Sequence, residues 1–175
     1  MNSLLASPSA PTFDDPLEML RACHGRIEAQ CVTLNRLLRH ITKRGCDEQS
    51  VQAARAILRY FDTAGQYHHQ DEEENLFPQL LATHDEAASV LITRLLQEHI
   101  GLEAAWRNLR PLLLNIVEAQ APTLDAAIVQ HFITVYAKHI AQENKTLLPL
   151  AATLLDESQL RAIGHSMAAR RGVTL

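Results

Sequence analysis

Histidine and glutamate recur four residues apart at two places in this 175-residue chain. His68 precedes Glu72, and His139 precedes Glu143. Residues four apart in an α-helix lie on the same face, so each pair can aim an imidazole and a carboxylate in one direction. Both groups are transition-metal ligands, and both are costly to bury without a partner. The spacing therefore predicts metal coordination from two helices.

The two pairs belong to an internal repeat. Residues 60–78 (YFDTAGQYHHQDEEENLFP) align without gaps on residues 131–149 (HFITVYAKHIAQENKTLLP), at a constant offset of 71 residues. Both copies end in Leu-x-Pro. The segments that precede the copies each contain a further histidine with a glutamate four residues on: His24 with Glu28, and His99 with Glu103. The repeat indicates two helical-hairpin halves that share one centre.

Six residues on the apolar stripes form the core of the predicted metal site: His24, His68, Glu72, His99, His139 and Glu143. Their burial without partners would cost on the order of several kcal/mol. Imidazole and carboxylate ligands without cysteine suit iron, manganese or zinc. Six ligands in two similar halves are too many for one tetrahedral zinc, so we expect two metal ions about 3.5–4 Å apart. The two glutamates would bridge the metals and the histidines would be terminal ligands.

The elements that must carry these ligands are helices. Asp15 followed by Pro16 is a typical helix start, and apolar residues then recur every three or four positions up to Gly45. Similar spacing predicts further helices from Glu48 to Leu-Phe-Pro, from near Asp85, from Pro122 to Pro149, and over 156–170. The fold class is therefore predicted to be all-α, an antiparallel up-down-up-down four-helix bundle with a short C-terminal helix.

Composition limits the domain organisation and the partners. Residues 1–13, rich in Ser, Pro and Ala, are predicted to be a flexible leader, followed by one domain over 14–175. A formal net charge of −4 without a Lys/Arg-rich run argues against non-specific nucleic-acid binding. The sequence shows neither a secretory signal nor a membrane-spanning segment, and its three cysteines form no CxxC pair. We therefore expect a cytoplasmic protein with free thiols and no membrane partner.

The order of the candidate ligands resembles the H-HxxxE-H-HxxxE signature of hemerythrin-like (HHE cation-binding) domains: His24, His68-x-x-x-Glu72, His99 and His139-x-x-x-Glu143. The resemblance covers roughly residues 15–155 and includes the Leu-Phe-Pro type of ending. It implies a bundle that holds two iron ions in a non-haem centre with an oxo or hydroxo bridge. Zinc and manganese are possible substitutes.

One position departs from the oxygen carriers of that family, whose third helix supplies two histidines four residues apart. Here His99 is followed at that spacing by Glu103. An added carboxylate would make the site harder and more anionic, which favours ferric iron over reversible oxygen carriage. Glu103 is therefore a candidate additional ligand, and Glu28, at the same offset from His24, is a second one ranked below it.

Residues beside the stripes are interpreted as surface or packing positions. His69, Glu73 and Glu74 fall off the stripe and are expected to face solvent. Gly65 and Tyr136 are equivalent in the repeat, one turn before the His/Glu pairs, and core packing is favoured over contact with a bound ligand.

These observations predict a di-iron protein that binds or senses a small ligand, namely oxygen, nitric oxide or peroxide, or iron itself. One alternative is a di-iron enzyme with peroxidase- or catalase-like activity, which ligation by Glu103 would favour. Another is iron storage or donation, including the repair of iron–sulfur centres. No residue is assigned a catalytic role, and both a monomer and a homodimer stay open.

Overall fold

The computed structural model describes residues 12–118 and 123–174, and all regular secondary structure in these ranges is helical. The all-α prediction is confirmed for this part of the chain. Of the leader predicted over 1–13, residues 1–11 lie outside the described residues. The α-helices are α1 (Pro16–Arg44), α2 (Glu48–Phe61), α3 (Ala64–Gln70), α4 (Phe77–Leu81), α5 (Glu86–Val117), α6 (Ala126–Gln142), α7 (Leu148–Leu154) and α8 (Glu157–Arg170). Two π-helical segments, π1 (Asp71–Leu76) and π2 (Glu143–Leu147), join α3 to α4 and α6 to α7.

Aspartate side chains cap the first turn of every long helix and of α8. Each accepts hydrogen bonds from backbone N–H groups that have no partner inside the helix. The caps are Asp15, Asp47, Asp85, Asp125 and Asp156. At the other end of α1, Gly45 adopts a φ of 80° and donates its N–H to the Ile41 carbonyl. These starts and this stop agree with the sequence predictions.

The two segments that end in Leu-x-Pro do not end in a helix break as expected. Pro78 and Pro149 lie in the first turns of α4 and α7, directly after the π-helical segments. Proline is tolerated there because its fixed φ suits the first turn of a helix. The predicted second helix is instead interrupted earlier, between α2 and α3, where the Asp62 side chain accepts hydrogen bonds from Trp106 and Arg110.

The four long helices surround one interior: α1 packs on α2 and α6, and α5 also packs on α2 and α6. Two apolar clusters fill it. One includes Ile27 and Leu102, and the other includes Leu20 and Leu95. His24 follows Leu20 and precedes Ile27 on α1, while His99 lies between Leu95 and Leu102 on α5. The polar residues of the interior are therefore held where the two apolar clusters meet.

Helix α8 closes one side of the bundle by packing on α1 and π1. Arg170 and Arg171 donate hydrogen bonds to the fully buried carboxylate of Asp71. The Arg171 guanidinium also lies 5.8 Å from the centre of the Phe13 ring and 5.6 Å from that of Tyr67. None of the helices in the described ranges combines the length and the apolar character needed to cross a bilayer.

Replacement of Gly164 by alanine is expected to destabilise the protein. A Cβ atom at this position of α8 would lie 1.9 Å from the Phe13 carbonyl oxygen, so the helix and the chain before α1 would have to separate. Overpacking of this kind costs about 1–3 kcal/mol in free energy of unfolding. Urea denaturation measures the change. Gly101→Ala is the matched control, because no described atom lies within 4 Å of its added Cβ and alanine favours the helix. Equal stability of the two variants would contradict the close packing of Gly164 on the Phe13 carbonyl.

Candidate metal centre

Six polar side chains converge in the interior, and each is no more than 2% exposed. They extend from α1, from α3 and π1, from α5, and from α6 and π2. They are the six residues that the sequence predicts as the core ligands: His24, His68, Glu72, His99, His139 and Glu143. Buried imidazoles and carboxylates at this density are found where a cation or a hydrogen-bond network compensates them. The structure therefore brings together all six predicted core ligands.

The six residues form two overlapping groups that share Glu72 and Glu143. The His24/His68 half-site adds the two histidines of α1 and α3, and the His99/His139 half-site adds those of α5 and α6. In each group, one ligand atom from every residue lies within 4.8 Å of the others. Both carboxylates thus belong to both half-sites, as bridging ligands between two cations would.

The distances show how each carboxylate is divided between the half-sites. Glu143 places Oε2 at 3.1 Å from Nε2 of His24 and Oε1 at 3.0 Å from Nε2 of His139. Glu72 places Oε1 at 3.6 Å from Nε2 of His68 and Oε2 at 3.4 Å from Nε2 of His99. Each carboxylate therefore presents one oxygen to each half-site.

These close approaches do not satisfy the polar atoms as hydrogen bonds. All four oxygens of Glu72 and Glu143, and Nε2 of His24 and His68, are buried without a hydrogen-bond partner among the described residues. Nε2 of His99 lies 3.1 Å from Nε2 of His139. Buried polar atoms without partners cost about 1–3 kcal/mol each. Nitrogen and oxygen lone pairs that converge in this way fit a metal centre.

Three of the four histidines are held in orientation by a hydrogen bond from Nδ1 to an acceptor that is not one of the six converging residues. The acceptors are Oδ1 of Asn144 for His24 at 2.7 Å, Oε1 of Glu73 for His99 at 2.5 Å, and Oε2 of Glu98 for His139 at 3.0 Å. An acceptor at Nδ1 keeps the proton there and leaves the Nε2 lone pair for the centre, which is how proteins prepare histidine ligands. Nδ1 of His68 has no hydrogen-bond partner within the part of the chain that the structure describes.

These three acceptors were not predicted from the sequence, although the repeat contained a signal for two of them. Glu73 and Asn144 each directly follow a shared glutamate and are equivalent at the offset of 71 residues. The expectation that Glu73 faces solvent is therefore wrong in part: its side chain is 42% exposed, but one oxygen is bound to His99. Glu74 is exposed as expected, and it accepts a hydrogen bond from Arg170.

The expectation that His69 faces solvent is also wrong. Its ring stacks on the His99 ring, with centroids 4.2 Å apart and planes 20° apart. Nε2 of His69 is buried without a hydrogen-bond partner, and His69, His99 and His139 form a third group of converging ligand atoms. Burial lowers the pKa of His69 to about 3, with the nearby His99 and His139 as further causes. His69 is therefore a neutral imidazole beside the His99/His139 half-site.

Glu103 and Glu28, the two candidate additional ligands, are exposed and belong to none of the converging groups formed by residues 12–118 and 123–174. The local helix geometry gives the reason. Over four residues an α-helix rotates about 40° beyond a full turn, and a π-helical turn holds more residues and reduces this excess. Glu72 and Glu143 lie in π1 and π2, whereas Glu28 and Glu103 lie within α1 and α5. A glutamate four residues after a centre histidine therefore reaches the centre where the helix is π-helical, as at Glu72 and Glu143.

Opposing pKa shifts show how strongly the buried charges interact. Burial, followed by the charge of Glu143, raises the pKa of Glu72 to about 7. Burial would likewise raise the pKa of Glu143, but the close approach of the His139 and His24 imidazoles holds it well below its usual range. For His99, burial is outweighed by its contacts with Glu143 and Glu72, which raise its pKa to about 10. Protons and cations therefore compete for the same side chains.

A helical bundle with buried histidines and glutamates around a shared point defines a metal-binding helical-bundle protein. The comparisons with known proteins agree with that class. Residues 15–151 match the Hemerythrin HHE cation binding domain, so the chain belongs to the hemerythrin HHE cation-binding family. An uncharacterized protein of Haemophilus influenzae is 32% identical over 162 residues, which cover 93% of each chain.

Acidification is expected to release bound metal. The pKa of Glu72 is raised to about 7 and that of His99 to about 10, so protons occupy these ligands more fully as the pH falls. Metal binding must displace those protons, and the affinity should therefore decrease as the pH drops through about 7. The metal retained after dialysis between about pH 8 and about pH 5 measures the effect. Equal retention across this range would contradict the prediction.

Proposed function

We propose that this protein holds two iron ions at the shared centre and uses them to bind or sense a small ligand, namely oxygen, nitric oxide or peroxide, or iron itself. One observation carries the proposal: Glu72 and Glu143 each present one oxygen to each half-site. A single cation would leave one oxygen of each buried carboxylate uncompensated. We also propose that the long helices α1, α2, α5 and α6 run in antiparallel up-down-up-down order.

The residues that would hold the metals are four terminal histidines and two bridging glutamates: His24, His68, His99, His139, Glu72 and Glu143. An iron pair would supply redox chemistry and open positions for an added ligand. The chain itself fixes three imidazole rings through Asn144, Glu73 and Glu98. Apolar clusters on both sides of the centre exclude water and strengthen the electrostatic interactions inside it.

The two alternative functions have less support. A peroxidase- or catalase-like enzyme was motivated by Glu103 as a ligand, and Glu103 is exposed. Repair of iron–sulfur centres would draw on a reactive thiol. Burial raises the pKa of Cys23, and it raises that of Cys31 to about 12, so both thiols stay protonated near neutral pH. We propose that the protein is located in the cytoplasm, because unpaired cysteines are typical of a reducing compartment.

Elemental analysis and optical spectroscopy of protein produced with ample iron test the proposal. We expect about two iron atoms per chain and the charge-transfer absorption of an oxo- or hydroxo-bridged pair. Production with equal iron, manganese and zinc shows which metal the site selects. One iron per chain, or none, would contradict the proposal. Spectra recorded during cycles of air exposure and deoxygenation then separate reversible oxygen binding from irreversible oxidation.

A further inference from the structure

The C-terminal end of α8 contacts the π-helical segment that carries Glu72. Asp71, the residue before Glu72, is fully buried. Its carboxylate accepts hydrogen bonds from Arg170 and Arg171, and Nη2 of Arg171 lies 2.6 Å from Oδ2 of Asp71. The two arginine side chains are only 14% and 20% exposed, so solvent screens these ion pairs less than it screens pairs on the surface. A compensated buried charge therefore lies directly beside one of the two shared carboxylates.

Arg170 binds three side chains of π1. In addition to its contact with Asp71, its Nη2 donates to Oε2 of Glu74 at 2.7 Å and to Oδ1 of Asn75 at 2.9 Å. A guanidinium group can make these contacts at once because its N–H donors are held in a rigid fork. π-Helical turns are rare and are frequent at functional sites. Contacts that hold π1 on the face toward α8 therefore also hold Glu72 on the face toward the centre.

The second copy of the repeat is held differently. The residues equivalent to the three partners of Arg170 are Gln142, Lys145 and Thr146. Gln142 donates a hydrogen bond to Thr146 at 3.2 Å within the same copy, and Lys145 is exposed. The two π-helical segments thus carry the same ligand type, but α8 binds π1, whereas Gln142 and Thr146 bind each other. The arginine contacts are specific to the segment of Glu72.

We propose that Arg170 and Arg171 are positioning residues for the metal centre. By holding Asp71 they fix π1 in the conformation in which Glu72 presents one oxygen to each half-site, at 3.6 Å from His68 and 3.4 Å from His99. Their effect on the bound ions runs through Asp71 and the backbone of π1. The inference rests on the proposed metal function, and it assigns to the end of α8 a role in retaining the metals.

The affinity of the protein for iron(II), measured without oxygen by competition with a chelator of known affinity, tests the proposal. Asp71→Asn/Arg170→Gln/Arg171→Gln removes three charges together and leaves none of them unpaired in the interior. We expect an iron dissociation constant about ten- to a hundred-fold higher, which is the usual effect of losing an outer partner of a metal ligand. Glu157→Gln/Arg161→Gln is the matched control, because it removes an exposed ion pair of α8, and it should bind iron normally.

A second variant keeps the charge and changes only the geometry. In Arg170→Lys the Asp71 carboxylate stays compensated, but an ammonium group cannot reproduce the rigid fork that also binds Glu74 and Asn75, so we expect a several-fold weaker affinity. Circular dichroism of each metal-free protein at the assay temperature shows whether it is folded. For a protein that is fully folded before iron is added, a lower global stability does not enter the measured constant.

The outcomes separate the inference from the proposed function. Unchanged iron affinity in the folded triple variant would overturn the inference and leave the proposed function intact. If the metal-free triple variant is unfolded, unchanged affinity in Arg170→Lys has the same meaning. An unaltered protein that takes up no iron would refute the proposed function itself.

Discussion

Replacement of Glu143 by glutamine is expected to leave the protein folded but without either metal ion. Glutamine conserves the volume of the side chain and removes its charge. The Glu143 carboxylate lies 3.1 Å from His24 in one half-site and 3.0 Å from His139 in the other, so one change weakens both. Loss of an outer partner of a metal ligand already costs up to about 100-fold in affinity, and loss of a shared carboxylate should cost at least that. Metal content after desalting measures the result.

Glu103→Gln and Glu28→Gln make the matched controls for this experiment. Each changes a glutamate four residues after a centre histidine, and each side chain is exposed. Both variants should retain two metal ions per chain, with circular dichroism confirming the helix content of all three proteins. A Glu103→Gln protein that lost its metal would show that Glu103 reaches the centre after all.

Removal of the metal with a chelator is expected to lower the melting temperature by roughly 10 °C. A ligand present at about 1,000 times its dissociation constant stabilises the folded state by about 4 kcal/mol, and each kcal/mol corresponds to about 2–4 °C in a chain of this size. The physical cause is the set of buried oxygen and nitrogen atoms that have no hydrogen-bond partner among the described residues. Differential scanning calorimetry with and without chelator gives the shift.

The Glu143→Gln protein provides the internal control for chelation. If it has already lost both ions, the chelator should leave its melting temperature unchanged. Readdition of iron should restore the melting temperature of the unaltered protein alone. An unaltered protein that melts at the same temperature before and after verified metal removal would show that the ions contribute nothing to stability.

Much of the site was predictable because the repeat and the helix period act locally. An aspartate such as Asp85 marks a helix start by its own chemistry, and the apolar spacing then fixes which face of the helix is buried. Once His68 and His139 are assigned to the buried face, the i+4 spacing and the repeat together make Glu72 and Glu143 candidates for the same face. The six converging residues needed no knowledge of tertiary structure beyond the bundle itself.

The remaining features depend on contacts between distant parts of the chain. The widening of π1 and π2 leaves no mark on the apolar spacing, so the i+4 spacing kept Glu103 as a candidate additional ligand, although Glu103 is exposed and Glu72 is buried. His69 falls off its helix stripe, yet α5 offers the His99 ring for stacking. Asp71 is fully buried, and it is the position of α8 that brings Arg170 and Arg171 to its carboxylate.

The groups that compensate one another in the interior lie far apart in the sequence, so they are not all translated at the same time. Asp71 is paired with arginines that lie 99 and 100 residues later, and the shared carboxylate Glu143 belongs to the second copy of the repeat. A nascent chain that has exposed only the first copy on the ribosome holds half of the imidazoles and one of the two shared acids. The complete six-residue centre can therefore form only after both copies have been translated.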